Sequence, residues 1–514
     1  MKISISYPPL ESEKGIPLLS QNRQFQWFKN PTYIYPVVPA CAATLLNKNG
    51  FEVFWDDAIA EGLSYNEWLS RILKEKPDAI AIETKTPVVK RHWKIINDIK
   101  ENFKKTYGAK FIPAVILMGD HVTALPEESL KNSDVDFIIT GGDYDFSLLG
   151  LCNSLEACGG VKGFIDFIDN ANKQGLPSLK KVDLPKGVYY RLNSEIKNTG
   201  KVDITENDLN LLPFIDRNLT KWKLYAYKNG NFKFTPGAYM MAGRDCWWGK
   251  CKFCSWTTLY PSKTFRTLPV KRYLDETGYL INDLKVKEIF DDSGCFPRGK
   301  WLKEFSLEHI ERGYNKKVVM GCNMRVGALN DEEWKLLKKA NFRFVLIGLE
   351  SMTQSTLDRL DKGIKIEQIE ETVKSAKKAG LEPHITTMVG YPWETKEDAV
   401  KTIEFAKYLF KKGYIDTLQA TIVVPYPGTP MFEEARQNGW LLTEDWDRYD
   451  MKESVWKSPV SNDDILKFTQ SLYTSALNPA FVVRKVFSVR NISDIKFLFK
   501  AGKKLMAHFT DFKG

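Results

Sequence analysis

The chain has 514 residues, 43% of them hydrophobic and 27% charged, including 14 Trp, 21 Tyr and 30 Phe. It is too long for one ordinary core and too apolar for a disordered or fibrous chain, so a multidomain globular enzyme of about two to four domains is expected. Its net charge of +10 comes from lysines scattered along the sequence, not from one block, and no nucleic-acid partner is expected.

The opening MKISISYPPL has no basic region followed by a long apolar run, and no stretch reaches the roughly 18 unbroken apolar residues of a spanning helix, so a cytoplasmic protein is expected. Eight cysteines, three of them within nine positions, suit metal binding in a reducing compartment better than a disulfide framework. Cys41, Cys152, Cys158, Cys295 and Cys322 read as small core or loop residues.

In chain order, Ile3–Tyr7, Phe51–Asp56, Ala79–Ile82, Val115–Met118 and Phe137–Thr140 are apolar runs predicted to be buried strands. Tyr65–Lys74 and Val88–Phe103 carry helical spacing between them, which gives a doubly wound, Rossmann-like α/β domain with a parallel sheet over residues 1–158. Such a sheet binds ligands at its carboxyl edge, where Gly119-Asp120-His121 and Thr140-Gly141-Gly142-Asp143 fall; the alternative is that these are tight turns.

Residues 159–236 lose the alternation and read as a linker with short hairpins, with Leu212–Asp216 crossing a domain seam. A second alternation over residues 237–430 predicts strands near Tyr239–Ala242, Glu288–Asp291, Val318–Cys322, Phe344–Leu349, Glu382–Val389 and Leu418–Val424. Helices such as Asp331–Ala340 and Ile366–Ala379 separate them, as in a partial, TIM-like (β/α)6 barrel with its chemistry at the strands' C-terminal ends. Residues 431–514 read as a mainly helical tail. Its last stretch, from Phe481, is basic and amphipathic, fit either to pack on the barrel or to rest on an anionic membrane or lipid-like substrate.

The strongest signal is Cys246-Trp-Trp-Gly-Lys-Cys251-Lys-Phe-Cys254, directly after the first strand of the second alternation. Three thiolates leave a four-ligand site incomplete, and the next candidates, Cys295 and His309, are too distant in sequence for a compact zinc finger. A [4Fe–4S] cube held by three thiolates keeps one iron open for a substrate that binds metal directly.

This loop resembles that of the radical S-adenosylmethionine (radical SAM) superfamily. Family members usually have three residues between the first two cysteines; here there are four, Trp247 to Lys250. The resemblance implies that Cys246, Cys251 and Cys254 hold a [4Fe–4S] cluster whose open iron binds S-adenosylmethionine and whose electron releases a 5′-deoxyadenosyl radical. It implies further contacts to S-adenosylmethionine: Phe253 near the adenine; Asp291, Asp292 and Ser293 at the amino group; Asn323 and Arg325 toward the carboxylate and sulfonium; Glu350 at the ribose; and Gly390 in a late-barrel loop. Each has a structural alternative: a turn or helix cap for the Asp pair, an ion pair for Arg325, a cap for Glu350.

A doubly wound domain ahead of such a barrel resembles the cobalamin-binding subgroup. On that likeness Tyr7, Pro8, Gly119, His121, Thr140, Gly141 and Gly142 mark the loops that would meet cobalamin, and the missing Asp-x-His-x-x-Gly sequence implies no histidine beneath the cobalt. His121 taken alone reads as a local hydrogen-bonding residue. The implied reaction is methyl transfer to an unactivated carbon, with an external donor such as flavodoxin or ferredoxin and a small-molecule or lipid-like substrate. Cyclisation or rearrangement, methylthiotransfer, and non-catalytic cobalamin or metal sensing are the alternatives. Methylthiotransfer would need a second cluster, for which Cys41, Cys152 and Cys158 lack the spacing.

Overall fold

The computed structural model describes residues 1–19, 25–29, 31–173, 184–261, 265–474 and 502. Nearly all of the basic stretch from Phe481 therefore lies outside the described residues.

The chain builds two parallel sheets whose carboxyl edges face each other. The first contains β1 (Lys2–Tyr7), β2 (Glu52–Asp57), β3 (Ala79–Thr84), β4 (Ala114–Gly119) and β5 (Phe137–Ile139), followed by a hairpin of β6 (Val188–Leu192) and β7 (Glu195–Asn198). Their order is β2-β1-β3-β4-β5-β6-β7, with β1 to β5 parallel and the hairpin antiparallel. The strands β3 and β4 are buried at every position, as expected of a sheet covered by helices on both faces. The helix Tyr65–Glu75 begins at a capping box, Ser64 with Glu67, and Val89–Tyr107 turns Trp93, Ile96, Ile99 and Phe103 inward at helical spacing.

The strand order reverses between β1 and β3, and the crevice at such a switch point is where doubly wound sheets take ligands. The hairpin β6–β7 comes from the stretch read as a linker, yet it extends this sheet. The seam segment does join two layers: Asp216 N–H donates to Thr44 Oγ1 (3.0 Å), and Leu212 O accepts from Arg272 (3.1 Å).

The second sheet has six parallel strands in sequential order: β8 (Gly237–Met240), β9 (Glu288–Asp291), β10 (Val319–Met324), β11 (Phe342–Glu350), β12 (Glu382–Val389) and β13 (Thr417–Ile422). The helices Asp331–Lys339 and Lys396–Lys412 start at capping boxes made by Asn330 with Glu333 and Thr395 with Asp398. The architecture is the expected partial (β/α)6 barrel. The helix Asn462–Thr474 packs against β13, covering the edge the sheet would otherwise leave open. Among the described residues no helix is long and apolar enough to cross a membrane.

Candidate active site

The cysteine loop leaves β8 through Gly243-Arg244, which pairs antiparallel with Arg266-Thr267. Arg244 is 4% exposed and bonds across the domain seam, to Asp143 Oδ1 (3.1 Å) and to both carboxylate oxygens of Asp145, one at 2.8 Å. Arg266 reaches the same Asp143 at 2.7 and 3.0 Å. Two cations and two carboxylates of the first domain thus fix the stem of the loop, an arrangement that holds only while all the charges stay paired.

Within the loop Cys254 N–H donates to Cys251 O (3.2 Å), and Trp247 and Trp248 donate to Phe296 O (3.1 Å) and Asp361 O (2.8 Å). The thiol of Cys246 is pulled down to about 6, first by a hydrogen bond from Cys295 and, against burial, by the backbone N–H groups of Gly249 and Trp248. Burial pushes Cys251 up to about 11 and Cys254 up to about 12. Among the described residues no three His, Cys, Asp or Glu side chains crowd round one point as they would round a single ion. Three thiols and no imidazole are a soft donor set that fits an iron–sulfur cluster with one open corner.

The other residues named from sequence gather round this loop. A Cβ on Gly294 would lie 2.9 Å from Trp256 and 3.1 Å from Cys246 Cβ, so only glycine lets the Asp291–Gly294 turn approach the loop this closely. Asp291 is fully buried and spends both oxygens on the protein: Oδ2 accepts from Ala242 N–H (2.7 Å) and Tyr273 (2.9 Å), Oδ1 from Ser293 N–H (3.1 Å). Burial raises it to about 6 in spite of these donors. Asp292 N–H donates to Met240 O (2.7 Å), Ser293 Oγ accepts from Gly243 N–H (3.0 Å), and Asn323 donates to Ser293 O (2.9 Å).

Arg325 stacks over Trp248, 3.8 Å from the ring centroid, and donates to Lys362 O. Glu350 ends β11 in a left-handed conformation and forms a buried ion pair with Lys362 (2.7 Å). The Lys362 ammonium lies 5.5 Å from the Phe253 ring centroid. Burial opposes its charge, but Glu350 and Cys251 outweigh burial and hold its pKa above the ordinary lysine value. Gly390 O accepts from Trp456 (2.8 Å), so a non-helical stretch of the C-terminal region, bridged at Leu441 and Trp456, covers this loop.

On the facing edge, Tyr7 donates to the buried Glu83 (2.6 Å) across the switch point, and Pro8 is buried beside it. The backbone of Gly119 lies against Thr84 O, Thr140 donates to Gly187 O (2.7 Å), and Gly141 N–H donates to Thr123 (3.1 Å). Both ring nitrogens of His121 are engaged, with Thr86 (3.2 Å) and Glu128 (3.0 Å), and Glu128 also accepts from Trp446 (2.8 Å). The two edges share one cavity. Lys85, Thr86 and Asp120 line it from the first sheet, Phe253, Cys254 and Trp256 from the cysteine loop and the turn after it, Met388 and Val423 from the barrel, and Met431 from the helix that follows.

Sequence reasoning passed over three residues. Cys295, read as a core cysteine, is buried but also bonds Cys246; its place directly after Asp291–Gly294 was the available signal. Lys85 pairs with Asp120 at 3.5 Å on the cavity wall, and only its position just past a strand end marked it. Lys362 sits in an ordinary-looking Asp-Lys-Gly turn that nothing in its local sequence sets apart.

Two parallel sheets, a three-cysteine loop over the second and a cavity between them make up the candidate site on an α/β frame. Residues 240–406 match the family model described as "Radical SAM superfamily". Its enzymes use an external electron donor and small-molecule substrates. The chain is 27% identical to the uncharacterized methyltransferase PH0819 of Pyrococcus horikoshii over 438 residues, covering 84% of this chain and 85% of that one. It is 24% identical over 430 residues to the anaerobic magnesium-protoporphyrin IX monomethyl ester cyclase of Cereibacter sphaeroides, covering 82% of this chain and 63% of the cyclase. Its fold is similar to that of the radical S-adenosylmethionine methyltransferase TsrM from Kitasatospora setae, solved with cobalamin and a [4Fe–4S] cluster bound (TM-score 0.62, 13% identity, covering 93% of this chain and 89% of that one).

Proposed function

We propose that the chain is a cobalamin-dependent radical SAM methyltransferase that modifies an unactivated carbon. The observation that carries this reading is the shared cavity, which puts the carboxyl edge of a doubly wound sheet opposite the three-cysteine loop. A [4Fe–4S] cluster and S-adenosylmethionine would supply the radical there, and cobalamin the methyl group.

The protein's own groups position and exclude. Cys246, Cys251 and Cys254 are the cluster ligands. Phe253, Asp292, Ser293, Asn323, Arg325, Glu350 and Gly390 form the rim for S-adenosylmethionine, while Asp291, with both oxygens taken, shapes that rim. Tyr7, Pro8, Gly119, Thr140, Gly141 and Gly142 form the floor for cobalamin. His121 is held by Thr86 and Glu128, which supports a floor that offers no imidazole to cobalt. Met388 and Val423 on the barrel wall and Met431 beside them support a substrate with an apolar reacting end, and three close-spaced cysteines support a reducing, cytoplasmic setting.

Anaerobic purification with hydroxocobalamin, followed by ultraviolet–visible spectra and mass spectrometry of bound small molecules, tests the reading. Stoichiometric cobalt is expected; a protein that refuses cobalamin yet cleaves S-adenosylmethionine would place it among radical SAM enzymes that do without it.

A further inference from the structure

The turn Leu360–Gly363 is fastened to the cysteine loop far more firmly than a connection between helices needs. Lys252 N–H donates to Leu360 O (3.0 Å), Trp248 donates to Asp361 O (2.8 Å), and Arg325 donates to Lys362 O. Gly363 has a left-handed backbone, and any side chain there would overlap the Trp248 ring. The consequence of this clamping is the placement of Lys362, 8% exposed, with its ammonium turned inward beside Phe253 and held at 2.7 Å by Glu350.

The ammonium of Lys362 faces the cysteine loop itself: it lies 5.5 Å from the ring of Phe253, the residue before Cys254, and its turn is bonded to Lys252, the residue after Cys251. A cation fixed in a water-poor site acts strongly on a neighbouring redox centre, and the potential of an iron–sulfur cluster follows local charge and hydrogen bonding.

We propose that Lys362 is a positioning residue that raises the one-electron reduction potential of the cluster held by Cys246, Cys251 and Cys254. This rests on the reading of those cysteines as cluster ligands. In the step concerned, one electron passes from an external one-electron donor to the oxidised cluster; no proton moves and no bond is made or broken. The ammonium stabilises the extra negative charge, and the Leu360–Gly363 clamp keeps it from swinging to solvent.

The test is an anaerobic redox titration of the full-length protein, reconstituted with iron and sulfide and without S-adenosylmethionine. Dithionite is the reductant, electron paramagnetic resonance follows the reduced cluster, and iron content is measured on every sample. Lys362→Gln is expected to disfavour reduction on the order of tenfold, about 59 mV to the negative side. Lys362→Arg should stay near wild type and Glu350→Gln should move to the positive side. A Lys362→Gln protein with a full cluster and an unmoved midpoint overturns the proposal while leaving the ligand assignment intact. Wild-type protein that takes up no cluster overturns both. If Lys362→Gln cannot hold a cluster, Glu350→Gln decides: a positive shift supports the proposal and an unmoved midpoint overturns it.

Discussion

The hydroxyl end of the Tyr260 ring abuts the backbone of Gly142, its hydroxyl 3.4 Å from the glycine carbonyl, so that a Cβ at residue 142 would overlap the ring. One residue belongs to the carboxyl edge of the first sheet and the other follows the cysteine loop, so this contact ties that edge to the loop. Gly142→Ala should therefore destabilise the protein by about 1–3 kcal/mol through overpacking. Tyr260→Ala in the same chain should recover part of the loss, a favourable coupling that chemical denaturation of the two single variants and the double variant would measure.

Arg244 makes a second claim on the same seam. Arg244→Met would leave Asp145 buried without its cation, a change expected to cost about 3–5 kcal/mol. Adding Asp143→Asn and Asp145→Asn should restore much of that. Equal stability of Arg244→Met and wild type in urea would show that the buried charges do not hold the loop stem.

Acid should expose a buried histidine. His92 accepts or donates one hydrogen bond with Thr84 (2.7 Å), its Nε2 has no partner among the described residues, and burial lowers its pKa to about 3. The folded state thus keeps it neutral while the unfolded chain binds a proton near pH 6.5, so its contribution is complete above 6.5 and drains away as the pH falls toward 3. From pH 7.5 to 5.5 wild type should lose about 1.4 kcal/mol relative to His92→Gln. Thermal or urea unfolding of both proteins at the two pH values checks this; parallel curves would contradict it.

Much of this was legible in the sequence, for a physical reason. Central strands of the first sheet are continuous apolar runs such as Ala79–Ile82 and Val115–Met118, and a parallel sheet buried on both faces leaves that local trace. The three cysteines were legible because their spacing is itself the loop. The hairpin β6–β7 was visible only as turn-rich sequence, since its pairing with β5 depends on residues some fifty positions away. The same holds for Lys362 with Glu350, Arg244 with Asp145, and Cys295 with Cys246: each is a contact between separate elements, and no local periodicity records it. The resemblance implies Asp291 as a contact to S-adenosylmethionine; its bonds from Ala242, Ser293 and Tyr273 join separate elements and leave no local trace in the sequence.

The most direct test compares anaerobically reconstituted wild type with a Cys246→Ala/Cys251→Ala/Cys254→Ala variant, scoring iron per chain and 5′-deoxyadenosine released from S-adenosylmethionine under dithionite. Wild type should bind about four irons and release the nucleoside, and the variant should lose both. A variant that keeps the iron and the nucleoside yield of wild type would contradict the assignment of these three thiols.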